Sequence, residues 1–180
     1  MIQRLSIDNI NDIIHICKIS LPNEGFNDYY FLEEHFKHYG YSYGYFMNGV
    51  LVGFIFCINY QLFTYIMAIA IYPEFSNQGI GQRLLQKVIM ESNKQLICKI
   101  EISNFHSIKL FKKFGFLQIP KKHIPKELSK NFRTTYYPFF RKPYQSWGLY
   151  DPYTEIANLQ DRIKNLNHSR INSIYQAKFT

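Results

Sequence analysis

Pro73-Glu74-Phe75-Ser76-Asn77-Gln78-Gly79-Ile80-Gly81-Gln82-Arg83-Leu84-Leu85 is the stretch on which the fold turns. Before it, Phe63 to Tyr72 is almost wholly apolar and β-prone, a strand that Pro73 ends. After it, Leu84, Leu85, Val88 and Ile89 recur at helical spacing, the stripe of a helix packed on a sheet. A polar, glycine-containing turn therefore joins a strand to the N-terminus of an amphipathic helix. The amides of that first turn have no intrahelical acceptor and the helix dipole adds partial positive charge, so a phosphate can be held by backbone alone. Two other glycine motifs fail on spacing. No Gly-Lys-Ser/Thr is present for a nucleotide P-loop, and Leu84 stands where a dinucleotide fingerprint needs its third glycine. By itself, Gly-x-Gly is equally compatible with a plain strand-to-helix turn.

Upstream, Ile2 to Leu5 reads as a strand, and Asp8 precedes a helix with Ile10, Ile13, Ile14 and Cys17 on one face. Pro22, Asn23 and Gly25 break the chain before a second helix over Asn27 to His38. Tyr43 to Met47, Asn48-Gly49 and Val50 to Ile58 form a hairpin with the favoured two-residue turn. Downstream come a strand over Leu96 to Ile102, a turn at Asn104-Phe105, and a helix from Ser107 to Phe114 closed by Gly115. Phe116 to Ile119 and Phe132 to Phe140 read as the last strands, with Pro138 arguing for an edge and a basic loop between them. The order β-α-α-β-β-β-α-β-α-β-β predicts one mixed α/β (α+β) domain over residues 1–142. Residues 143–180 form a C-terminal helical extension: Asp151-Pro152 is a helix start, and Ile156, Leu159, Ile163 and Leu166 follow at three, four and three. That stripe either packs on its own domain or docks a partner, a second copy in a homodimer included.

The 180 residues are 47% apolar and 19% charged, a balance that buries a substantial core. No apolar run reaches the roughly 20 residues of a membrane span, and no basic-then-apolar leader opens the chain, so a cytoplasmic protein is expected. The net charge of +8 invites a nucleic-acid reading, yet it is unevenly placed. Residues 1–70 carry three basic against six acidic side chains, and all the positive excess lies in the remainder. No nucleic-acid motif accompanies it, which makes nucleic acid a disfavoured partner. Cys17, Cys57 and Cys98 are odd in number and sit in apolar segments, as buried reduced thiols do. The six histidines do not cluster with cysteines or carboxylates, so no metal is expected.

The opening stretch, followed by Asn104-x-x-Ser107-Ile108-x-Leu110-Phe111-x-Lys113-Phe114-Gly115-Phe116, closely resembles the two central motifs of the GNAT superfamily of acetyl-CoA-dependent N-acetyltransferases. Order and spacing both match, and the resemblance extends over residues 1–142. It implies a central, mostly antiparallel sheet of six to seven strands, helices on both faces, and a splayed strand pair that forms the CoA cleft. It further implies acetyl-CoA as cosubstrate and an amine, peptide or small molecule, as acceptor. The loop Ser76, Asn77, Gln78, Gly79, Ile80 and Gly81, with Gln82 after it, would cradle the CoA pyrophosphate. Backbone groups near Ile69 and Ile71 would pair with the acetyl carbonyl and the pantetheine arm, and Asn104 would meet that arm from the other side. Ser76 departs from the family's usual Arg or Gln, which removes one side-chain contact to phosphate.

The catalytic positions carry two further departures. Phe111 stands where the family often has a Tyr that protonates the leaving thiolate; a thiol of pKa about 8.5 leaves readily without that help. Lys99 stands where many protein N-terminal acetyltransferases have Glu or His. Strand alternation puts Glu101 on the face of Lys99, as a candidate to polarise a water or pair with that lysine. Tyr65, in Tyr65-Ile66-Met67-Ala68-Ile69, is similar to the Tyr that helps deprotonate the substrate amine in some N-terminal acetyltransferases. Phe26, Tyr29, Tyr136 and Tyr137 fall where those enzymes contact peptide. At pH near 7.4 an α-amine of pKa about 7.8 is roughly a quarter neutral, against about one part in a thousand for lysine. A site without an obvious strong base suits an α-amine, with small amines such as polyamines or amino sugars as the alternative acceptor and a catalytically weak acyl-CoA-binding module as the rival function.

Overall fold

Asn48 and Gly49 both take left-handed backbone, φ 50° and 81°, the pairing that a two-residue hairpin turn requires. The turn joins β2 (Tyr43–Met47) to β3 (Val50–Asn59), the centre of the sheet. The computed structural model describes residues 1–22, 28–38, 41–60 and 63–118, together with the backbone of 136–141. They fall into two compact units, one built on Met1–Cys98 and the other beginning at Lys99.

In the first unit, β1 (Ile2–Arg4), β2, β3 and β4 (Phe63–Ile71) run antiparallel in sequence order. β5 (Gln95–Glu101), whose last three residues belong to the second unit, pairs with β4 in parallel. Parallel neighbours need a crossover, and α3 (Ile80–Glu91) supplies it. The other helices here are α1 (Ile10–Ser20) and α2 (Tyr29–His38). Ile10, Ile13, Ile16 and Cys17 of α1 and Leu32 of α2 bury against Phe54 and Phe56 of β3 and Ala70 of β4. Alternation along β2 places α3 on the opposite face. Gly44 lies against Leu5 and Leu51 on the α1 side, whereas its neighbours Tyr43 and Tyr45 lie under Lys87 and Arg83 of α3. There Leu84, Leu85 and Val88 are fully buried. In the second unit, α4 (Phe105–Lys113) precedes β6 (Leu117–Gln118), which pairs antiparallel with β7 (Tyr136–Arg141).

The predicted element order is the observed one among the described residues, and the mixed α+β fold stands. Boundaries moved for local reasons. The first helical segment opens on a capping box: the Ser6 hydroxyl accepts from Asp8 N and the Asn9 side chain accepts from Ser6 N, which inserts a tight turn before α1. α2 starts at Tyr29 because Asp28 Oδ1 accepts from Tyr30 N at 2.9 Å. α4 starts two residues earlier than expected, its Asn104 cap accepting from Ser107 N at 3.0 Å. All three cysteines are buried thiols, and burial raises the pKa of Cys57 and Cys98. The extension at 143–180 lies outside the described residues.

Candidate active site

The site begins where β4 runs out of partners on one side. β5 pairs with it from Phe63↔Gln95 to Ile66↔Cys98 and no further, while β3 pairs with it as far as Ile71. At the same point the β3 register shifts between Phe56 and Cys57, so that Met67 is an extra residue opposite neither Ala68's partner nor Ile66's. The bulge and the end of the parallel pairing coincide.

Beyond the bulge, hydrogen-bond direction alternates. Tyr72 N donates to Val52 O at 2.9 Å across a register that pairs Ile71 with Gly53. The Ala70 backbone groups and the Tyr72 N–H therefore turn toward β3, and the backbone groups of Ile69 and Ile71 turn to the opposite edge. Those are the two residues to which the family resemblance assigns the acetyl carbonyl and the pantetheine arm. The Ile71 carbonyl on that edge accepts from the Ser20 hydroxyl of α1 at 2.9 Å. His15, also on α1, hydrogen-bonds the Tyr72 hydroxyl. The Tyr72 phenol is pushed up from its ordinary pKa by burial, then by the carboxylates of Asp12 and Glu74.

The loop after β4 is shaped by its own backbone. Phe75 N donates to Tyr72 O at 2.9 Å and Ser76 N to Pro73 O at 3.0 Å, winding one tight turn. Asn77 and Gly79 then adopt left-handed φ of 62° and 74°. Gly79 caps α3 without a side-chain hydrogen bond, the first turn has no acidic residue, and the first helical bond is Arg83 N to Gly79 O at 3.1 Å. The amides of Ile80 and Gly81 are thus left for an external acceptor, with the helix dipole behind them. A Cβ on Gly79 would meet nothing within 4 Å, so the approach is open. Ser76 is exposed and its hydroxyl reaches only Tyr72 O, at 3.5 Å. Gln78 turns back to Glu74 O at 3.3 Å. Gln82 is exposed in the first turn of α3. Arg83 is committed elsewhere, donating to the Tyr45 hydroxyl at 2.8 Å.

Tyr65 lies on β4 just before the bulge, 5% exposed, between Ile58 and Ile97 on the neighbouring strands. One strand, one loop and one helix of the first unit thus carry Tyr65, Ile69, Ile71 and Ser76 through Gln82. Glu101, Asn104 and Phe111 belong to the second unit. Glu101 is the exposed end of β5, and its carbonyl accepts from Asn104 N at 2.9 Å. Asn104 spends Oδ1 on capping α4, which leaves its side-chain NH2 to offer a ligand. Phe111 is buried edge-on to Phe116, ring centres 4.9 Å apart. Tyr29 is exposed at the start of α2, beside the more exposed Tyr30. Phe26 is outside the described residues, and Tyr136 and Tyr137 are placed by backbone only, on β7. Among the described residues no three His, Cys, Asp or Glu side chains group as a metal site, and no helix is long and apolar enough to cross a membrane. Sequence reasoning missed the Met67 bulge, Ser20 and the His15–Tyr72 pair; no local pattern signals any of them.

A sheet whose fourth strand loses its parallel partner, followed by a glycine-led helix start free of a side-chain cap, fits the frame that the family resemblance implies. The chain belongs to the acetyltransferase (GNAT) family, whose family model matches residues 7–116. It is similar to an N-alpha-acetyltransferase of Sulfurisphaera tokodaii, 29% identical over 138 residues, covering 66% of this chain and 80% of that one. The ribosomal-protein-S18-alanine N-acetyltransferase of Escherichia coli has the same fold, with TM-score 0.67 and 19% identity over 84% of this chain and 99% of that one. So does Arabidopsis thaliana Naa50 in complex with the bisubstrate analogue CoA-Ac-MVNAL, with TM-score 0.63 and 18% identity over 79% and 97%.

Proposed function

We propose that this acetyltransferase binds acetyl-CoA along the open edge of β4 and transfers the acetyl group to the α-amine of a protein or peptide N-terminus. The observation that carries the cofactor half is the joint end of β4–β5 pairing and onset of the Met67 bulge, with the Ile69 and Ile71 backbone turned outward beyond it. Outward backbone groups there can pair with an extended pantetheine arm, and the α3 start, free of a side-chain cap, suits a pyrophosphate. Asn104 would donate its side-chain NH2 to the same arm, and Phe111 would line it.

Chemically, the neutral amine attacks the thioester carbonyl, a tetrahedral oxyanion forms, the C–S bond breaks, and the CoA thiolate leaves. The amine's proton passes to water. Tyr65 is assigned to help deprotonate the amine through a water, and Glu101 to polarise a water or pair with Lys99; Tyr29, Phe26, Tyr136 and Tyr137 are assigned to the peptide. The acceptor reading is supported by the absence of a strong base among these residues, since an α-amine of pKa about 7.8 needs none at neutral pH. It is further supported by the S. tokodaii relative's name and by the peptide portion of the Naa50 analogue. Thiol release from acetyl-CoA, measured with N-terminal peptides and with small amines, tests it. Turnover with peptides bearing a free α-amine and loss on blocking that amine are expected; turnover only with small amines would overturn the acceptor, and none with any amine the enzyme.

A further inference from the structure

The peptide plane between Ile71 and Tyr72 is the last of β4 before the phosphate loop, and it is held at both ends. Its N–H donates to Val52 O on β3 at 2.9 Å, and its carbonyl accepts from the Ser20 hydroxyl at 2.9 Å, from 51 residues away in sequence. The same helix takes the next side chain, through His15 and the Tyr72 hydroxyl. From Tyr72 the grip passes on: its carbonyl accepts from Phe75 N and, more weakly, from the Ser76 hydroxyl, the contacts that set where the loop leaves the strand.

We infer that Ser20 is a positioning residue for the acetyl-CoA site: its hydroxyl, on the Ile71 carbonyl, fixes the orientation of the strand–loop junction on which both the pantetheine edge and the pyrophosphate loop depend. It touches no reacting atom. A strand end with one free edge otherwise rotates its terminal carbonyl toward water, and the loop after it turns with that plane. Ser20 also takes up acceptor capacity at Ile71, so a ligand along this edge meets the Ile71 N–H as the stronger partner there and both groups of Ile69. The inference rests on acetyl-CoA binding at this edge.

The test compares Ser20→Ala, Ser20→Thr and Tyr72→Phe with the parent chain, by calorimetric titration of acetyl-CoA and by thermal melting. Removing one half-buried hydrogen bond that orients a binding loop is expected to weaken acetyl-CoA about threefold to tenfold in S20A. S20T, which keeps the hydroxyl, should bind within about twofold of the parent. Y72F should weaken binding in the same direction, and S20A with Y72F together less than the product of the two, because both act on one junction. In the KM of acetyl-CoA the loss should appear with kcat little changed. Unchanged or tighter binding in S20A, or S20T as weak as S20A, would overturn the assignment. Equal loss of melting temperature in S20A and S20T, with affinity following it, would likewise reduce Ser20 to a structural tether. Absence of acetyl-CoA binding by the parent chain is a different outcome, since it rejects the cofactor itself.

Discussion

Gly79 and Gly49 make a matched pair of probes. Both have left-handed backbone, φ 74° and 81°, and a Cβ on either would meet no heavy atom within 4 Å. Gly→Ala at either site therefore introduces no clash, only the penalty of an L side chain in left-handed space, about 1–2 kcal/mol. For a chain of this size each kcal/mol lowers the melting temperature by about 2–4 °C, so the two variants should melt at similarly reduced temperatures. They should differ in ligand binding. Gly49 turns the β2–β3 hairpin, whereas the open space over Gly79 is the approach to the Ile80 and Gly81 amides. A methyl there obstructs a phosphate and costs at least one charge-assisted hydrogen bond, about 1.5–3 kcal/mol, hence about tenfold or more in affinity for acetyl-CoA. Calorimetric melts paired with titration of CoA measure both quantities on the same samples. Similar loss of stability with affinity lost only in Gly79→Ala is the expected result. Equal affinities in the two variants would refute the reading of this loop as the phosphate site.

Two further outcomes follow from the packing. Phe111→Tyr should leave kcat within about threefold, because a thiolate of pKa about 8.5 departs without a proton donor; a rise of a hundredfold would mean that thiolate protonation limits this enzyme. Glu91 is held below its ordinary pKa by hydrogen bonds first from Lys87 and then from the Tyr43 hydroxyl. A depressed carboxylate stabilises the fold above its unfolded pKa of about 4.3 and loses that contribution as pH falls through the folded value. The margin by which the parent out-melts Glu91→Gln should therefore shrink between pH 7 and pH 3, from about 0.3–0.5 kcal/mol, the worth of an exposed i,i+4 pair; a margin constant over that range would contradict it.

The parts of the fold that the sequence made legible are those governed by neighbours in the chain. Asn48-Gly49 announces its turn because few other residues tolerate two left-handed positions in a row, and Leu84, Leu85 and Val88 announce α3 by spacing alone. α4 begins two residues before the expected Ser107 because Asn104, which reads as a turn residue, caps the helix by accepting from Ser107 N. The decisive features of the site were hidden for a different reason. Phe63 to Ile71 is apolar whether or not β5 accompanies it, so neither the last pair at Ile66↔Cys98 nor the extra residue at Met67 has a compositional trace. Ser20 looks like any polar helix end until Ile71 is brought to it.

The same distinction explains why the family is evident while the acceptor is not. The proposed cofactor half of the site is made mostly of peptide groups: amides at the α3 start, the outward edge of Ile69 and Ile71, and the Ile71 carbonyl bonded by Ser20. Such a site constrains φ and ψ more than side chains, so it survives wide divergence, and Ser76 in place of an Arg or Gln removes a contact without removing the cradle. The glycine loop becomes a signature only together with the second motif, Asn104 to Phe116, in the right order and spacing. On the proposed reading, acceptor choice would rest on side chains such as Tyr29, Tyr65 and Glu101, each of which can change without disturbing a backbone cradle, and their residue types alone do not fix a substrate. Substitutions along the β4 edge and loop should therefore act on acetyl-CoA for every acceptor alike, whereas substitutions at Tyr29 or Tyr65 should change the ranking of acceptors.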